Sequence, residues 1–215
     1  MLEFIFEILA ELIRRGGGVM WLLLGLSVVA MVLAFERCWF WFKTNSWRES
    51  QVQQLVRLLR RGQYDLAKQM AEPDHGVYGR LVCHVVGAPG SDAALAEAVE
   101  IQRSRLERFM PTLSTIITAA PMLGILGTVL GLIRALSVFS GDQQVTDPRL
   151  ISPAIAEALI TTAAGLVVAI GVLFPYNAFL AQVGRCLGRL ETLTAAAEEG
   201  RPLAGRQVKE AKNSV

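Results

Sequence analysis

Four residues inside otherwise uncharged stretches have side chains that could do chemistry: Thr128, Arg134, Glu157 and Thr162. A carboxyl group takes up and releases a proton, and a guanidinium stays charged and holds an anion. A hydroxyl orients a proton or a water but stores no charge at accessible pH. Arg134 stands six residues after Thr128, and Glu157 five before Thr162. On two helices running in opposite directions, both charges then reach a similar height near one end, with a hydroxyl deeper on each helix. Pairing would lower the desolvation cost of each charge. Simpler uses exist. Either threonine could bond the carbonyl one turn back, and Glu157, following Ser152-Pro153, could sit in a first helical turn where the dipole favours a carboxylate. A matched pair of hydroxyls facing one seam favours a polar track.

No nucleophile with its base, no phosphate loop and no metal constellation accompanies these residues, so conventional catalysis and a cofactor are not expected. Cys38, Cys83 and Cys186 are odd in number, widely spaced and outside any CxxC pattern, and His75 and His84 lack partners at ligand spacing. Nothing in the composition points to nucleic acid.

The elements that must position the four residues are long and apolar. Phe109 to Ile133 is 25 residues without a charge and Ala158 to Gly184 is 27. At roughly 1.5 Å per residue either crosses a hydrocarbon core about 30 Å thick. With 53% hydrophobic residues, and a mean hydropathy of +0.42, the class is a polytopic membrane protein. Small residues recur three or four apart on both stretches: Pro121, Gly124, Thr128, Gly131 and Ala135 on the first, with Gly127 beside them, and Ala158, Thr162, Gly165 and Ala169 on the second. In lipid, such faces let helix backbones approach closely and gain dispersion contacts.

In chain order, residues 1–15 read as an interfacial amphipathic helix, with Phe4, Ile5, Ile8, Leu9 and Leu12 opposite Glu3, Glu7 and Glu11. A first span follows over 19–42, built on the uncharged run Val19 to Phe35 and an aromatic belt at Trp39, Trp41 and Trp47. Residues 43–108 form a helical insert, with breaks at Gly62-Gln63, Pro73 to Gly76 and Gly87 to Gly90, and a cap at Ser91. The second span is 109–139, a polar loop fills 140–152, and the third span is 153–183. One continuous helix is expected from about Asp92 to Phe139. The third span is expected to run on to about Glu199, with a disordered tail after Gly200. Ten Lys or Arg lie between Lys43 and Arg108, and more follow the last span. The positive-inside rule puts the insert and the C-terminal segment 184–215 in the cytoplasm and the N-terminus and the 140–152 loop outside. The expected fold class is therefore all-α membrane protein: three transmembrane helices, two of them extending far into the cytoplasm, a helical cytoplasmic insert and an N-terminal amphipathic helix.

The segments APMLGILGTVLGLI (Ala120 to Ile133) and SPAIAEALITTAAGLVVAIGVLFPYN (Ser152 to Asn177) resemble the two signature segments of the ExbB/TolQ/MotA proton-channel family, closest to its ExbB and TolQ branch. The resemblance extends over most of the chain, including the order of spans and the insert. It implies a bacterial inner-membrane motor subunit: a homo-pentamer around two copies of an ExbD- or TolR-like single-span partner bearing a membrane aspartate, with proton flow driving a TonB- or TolA-like protein. Thr128 and Thr162 fall at the family's pore threonines and Glu157 at its acidic residue at the entrance of the last span. Two departures stand out. Relatives commonly carry proline at the position of Gly171, whereas this chain has Pro175 one turn on, and Arg134 occupies a position often uncharged.

The resemblance thus implies ExbB-like support of outer-membrane nutrient uptake, with a TolQ-like envelope role as the alternative. A helix-packing scaffold without a proton path is the competing reading from another class. Since this chain offers no titratable group at mid-depth, the moving charge would come from the partner's carboxylate.

Overall fold

The computed structural model describes residues 17–44, 49–74, 76–87, 92–137 and 152–213. The expected amphipathic helix at 1–15, Trp47, Ser91 and the loop before Ser152 lie outside the described residues. Every regular element among the described residues is a helix: α1 (Gly17–Thr44), α2 (Glu49–Arg60), α3 (Tyr64–Ala71), α4 (Val77–Gly87), α5 (Asp92–Leu106), α6 (Met110–Ser137) and α7 (Ser152–Asn213). The protein is an all-α membrane protein, and three of these helices are long and apolar enough to span a bilayer, over Gly17–Phe42, Met110–Ser137 and part of Ser152–Ala204. The chain divides into two units, one of 1–36 and 109–178, the other of 37–108 and 179–215.

The first unit holds the second span and the parts of the other two up to 36 and 178. A backbone in hydrocarbon must satisfy its own polar groups, and these uncharged segments do so as uninterrupted helices. Its core is small: Met20 and Leu23 of α1 meet Ala120 of α6 and Ala169 of α7, with Leu26, Leu123, Ile160, Ala164 and Val168 packed around them. Large apolar side chains point outward instead, among them Trp21, Met31, Phe35, Met122, Ile125, Val167 and Phe174. A surface this apolar is stable only against lipid or neighbouring helices.

The second unit is amphipathic in the ordinary soluble sense. Leu55 and Leu59 of α2, Ala67 and Ala71 of α3, Leu81 and Val82 of α4, and Ala98 and Leu106 of α5 are buried, as are Cys186, Leu190, Leu193 and Ala197 of α7. The α7 positions recur every three or four residues, one stripe along the helix. The Tyr64 hydroxyl donates to the Ala197 carbonyl at 2.6 Å and Arg60 pairs with Glu199 at 2.8 Å. Asp74 starts α4 by accepting from the Gly76 and Gly79 amides at 3.0 and 3.2 Å.

Three expectations need correction. First, the helix expected from Asp92 to Phe139 is broken: α5 ends at Leu106 and α6 begins at Met110, with Phe109 at φ 66° between them. Pro111 has no N–H to bond four residues back and its ring crowds that carbonyl, so it belongs in a first turn, where it stands. The break is supported by Arg37, which is 1% exposed. Its Nη1 donates to the carbonyls of Arg105 and Leu106 at 3.2 and 3.3 Å, satisfying orphan acceptors at the α5 C-terminus where a cation is favoured.

Second, α7 does not give way to a tail at Gly200 but continues to Asn213. Gly200 is a packing residue: a Cβ there would run into the Leu59 carbonyl and come within 3.1 Å of the Gly62 amide nitrogen. Gly62, at φ +70°, supplies the other half of this close backbone approach. Third, Trp39 is exposed as an interfacial tryptophan should be, but Trp41 is buried in the second unit.

Candidate functional site

The site is built on the α6 and α7 parts of the first unit. Glycines allow the two backbones to meet: a Cβ on Gly124 would lie 3.0 Å from Thr162 Cα, one on Gly131 2.6 Å from Ala158 Cβ, and one on Gly165 3.2 Å from Gly124 Cα. Gly127 is tightest of all, since its Cβ would overlap the Thr161 side chain. The small residues at Gly124, Gly127, Gly131, Ala158 and Gly165 therefore meet in one seam. Ala169 packs instead in the cluster with Met20 and Leu23 of α1.

From Ala120 onward the buried positions of α6 are Ala120, Gly124, Gly127, Gly131 and Ala135. Gly124, Gly131 and Ala135 of the expected face are buried, as is Gly127, whereas Pro121 and Thr128 are only partly buried and Ala120 and Gly127 take their places. The two threonines consequently differ. Thr128 Oγ1 donates to the Ile125 carbonyl of its own helix at 2.6 Å. Thr162 Oγ1 crosses the seam to the Gly124 carbonyl at 2.8 Å. Thr161, not singled out from the sequence, is 1% exposed and donates to the Glu157 carbonyl at 2.8 Å. The only sequence signal for it was its place beside Thr162 in a doublet.

At one end of the hairpin Arg134 Nη1 lies 2.6 Å from Glu157 Oε1. Glu157 is the sixth residue of α7, past its first turn, so it does not cap its own helix. The carboxylate abuts Gly17 instead, where a Cβ would collide with Oε1. Gly17, at φ +62°, opens α1, so the positive end of that helix dipole also faces the carboxylate. Gly17 was not legible as a neighbour of Glu157, being some 140 residues away in the Gly16 to Gly18 triplet that precedes the first uncharged run.

The polar chemistry of the seam among the described residues is a salt bridge at this end and hydroxyls deeper in. Arg134→Gln and Glu157→Gln are expected to couple: the double variant should lose no more function than the worse single variant, because the first substitution already strands the partner charge. Additive losses in a double-mutant cycle on transport would contradict the pair.

In the second unit, burial pushes the Tyr78 hydroxyl up to about 12, so it remains a neutral phenol. Arg189 donates to it at 3.4 Å and also pairs with Glu49.

Comparison with known proteins agrees with this geometry. The model of the MotA/TolQ/ExbB proton channel family matches residues 85–192. A putative biopolymer transport protein ExbB-like 3 of Synechocystis is 36% identical over 171 residues, covering 76% of this chain and 81% of its own. The Tol-Pal system protein TolQ of Pseudomonas aeruginosa is 34% identical over 119 residues, 55% of this chain and 50% of its own. Among solved structures, C. jejuni MotAB superposes with a TM-score of 0.55 over 99% of this chain and 91% of that one, at 19% identity, a likeness of fold alone. With two long spans meeting in a glycine seam, hydroxyls within it and one ion pair at its end, the chain belongs to the MotA/TolQ/ExbB proton channel family.

Proposed function

We propose that this chain is an ExbB-like ring subunit of the inner membrane. Five copies would surround two single-span partners of the ExbD/TolR kind, and proton flow would do work on a TonB-like protein. The observation that carries this reading is the polar inventory of the hairpin: a charge pair at one end, and at mid-depth hydroxyls only. Such a surface orients a proton without storing it, so the titrating group must stand on another polypeptide. A carboxylate on the partner's span, charging and discharging beside Thr128 and Thr162, would complete the path, and a potential worth about 2.3 kcal/mol per charge per 100 mV would bias the cycle. The basic insert and C-terminal segment support a cytoplasmic placement, with the Arg134–Glu157 end of the hairpin outside. A TolQ-like envelope role is the second reading, supported by the match to a TolQ over 119 residues; the ExbB-like match runs over 171.

Thr128→Val and Thr162→Val, combined, test the path against a purely structural scaffold. Proton uptake by vesicles holding chain and partner is expected to fall roughly tenfold, the equivalent of ~1.4 kcal/mol and within the range of one hydrogen bond in lipid. Because Thr162 also bridges to Gly124, Thr162→Ser should restore both packing and flow. Full uptake by the double valine variant would leave the scaffold reading standing.

A further inference from the structure

The second unit contains a cavity of about 200 Å³ lined by Trp41 and Thr44 of α1, Tyr78 of α4, and Gln182, Arg185, Cys186 and Arg189 of α7. That is several times the ~30 Å³ share of one water. Its polar lining is rich in donors: two guanidiniums, an amide, a hydroxyl, a phenol and an indole, with no carboxylate among the described residues that line it. Glu49, which pairs with Arg189, is not part of the lining. Arg185 has no ion pair among the described residues. Trp41 is 8% exposed and its buried Nε1–H meets no acceptor among the described residues. A buried donor without a partner costs about 1–3 kcal/mol, so an acceptor supplied from outside would be stabilising. The whole arrangement is short of one anion with several acceptor oxygens.

Sequence position says where that anion comes from. Trp41 and Thr44 follow the first uncharged run, which ends at Phe35, and Arg185 is the first residue after the run that ends at Gly184. Both segments therefore leave the hydrocarbon at the level where phosphate headgroups lie, the depth at which basic pockets between spans take acidic lipids. Guanidiniums offer the fork that matches phosphate oxygens.

We infer that this cavity holds the phosphate of an acidic phospholipid headgroup. The shared chemistry is a phosphate anion, and free phosphate is the other source. The full-length chain is reconstituted in nanodiscs of phosphatidylglycerol mixed with phosphatidylcholine, and lipid retained after mild delipidation is counted by native mass spectrometry. The wild type should retain phosphatidylglycerol in preference. Arg185→Gln should weaken that retention about fivefold, the usual effect of one basic residue at a lipid surface. Trp41→Phe, which keeps the ring and removes the N–H, should weaken it as well. Arg103→Gln, which removes a cation tied to Glu100 and Glu107 outside the cavity, should change nothing. Equal retention of both lipids, or retention insensitive to Arg185→Gln, would overturn the site. Displacement of the retained lipid by inorganic phosphate would overturn the lipid as its source.

Discussion

Gly127→Leu is expected to abolish proton transport and to lower the yield of assembled complex. Even a bare Cβ at 127 would stand 2.8 Å from Thr161 Cβ, and Thr161 is itself fully packed. α6 and α7 would have to separate, and the bond from Thr162 to the Gly124 carbonyl would be lost with the seam. Overpacking by a methyl group costs about 1–3 kcal/mol, and leucine adds three more carbons. The specific check is a compensating pair. Gly127→Ala alone should impair transport and assembly, while Gly127→Ala with Thr161→Ala should recover part of both, because removing the Thr161 Cγ2 and hydroxyl leaves only the Cβ contact at 2.8 Å for a small shift to relieve. Recovery by Thr161→Ala of nothing at all would show that Gly127 matters for another reason.

Arg37→Met is expected to loosen the second unit where α5 ends. Both carbonyls that Arg37 serves belong to the last turn of α5, and its guanidinium also lies 4.6 Å over the Phe40 ring. Methionine fills much of the space but leaves the carbonyls of Arg105 and Leu106 without that donor. The cost is about 3 kcal/mol, which raises the population of the opened segment roughly a hundredfold. Hydrogen exchange of the α5 amides should accelerate accordingly. Arg37→Lys keeps the charge but not the planar fork, so it should fall between the two. Exchange unchanged in Arg37→Met would mean that the α5 terminus is held by something else.

What could be read from the sequence follows the physics of each feature. The three spans were legible because hydrocarbon demands long uncharged helices, and no soluble helix needs 25 such residues in a row. The proximity of Arg134 and Glu157 was legible because depth in a membrane can be counted along two antiparallel helices. Of the seam on α6, Gly124, Gly127 and Gly131 were legible, but its full membership was not. Ala120, Gly124, Gly127, Gly131 and Ala135 and the set through Pro121 and Thr128 are both small and both spaced by three and four. They share Gly124, Gly131 and Ala135 and differ only in Ala120 and Gly127 against Pro121 and Thr128, each one residue apart on the helix, a choice that only side-chain burial decides. For the same reason Thr161 escaped notice beside Thr162.

The break before α6 was half visible. Pro111 is a local signal that the sequence displays, but a phenylalanine at φ 66° and an arginine from 68 residues away leave none. Gly200 misled because a glycine before a polar stretch reads as a terminus, whereas here it admits the Leu59 carbonyl. Long-range backbone contact leaves no local pattern in the chain.

The most direct test of the proposed mechanism is a voltage-driven proton current in liposomes, measured with this chain alone and again with its single-span partner. Hydroxyls at mid-depth and no acid there predict no current from the chain alone, and a current when a partner with an intact membrane carboxylate is added. A robust current from the chain by itself would contradict the account.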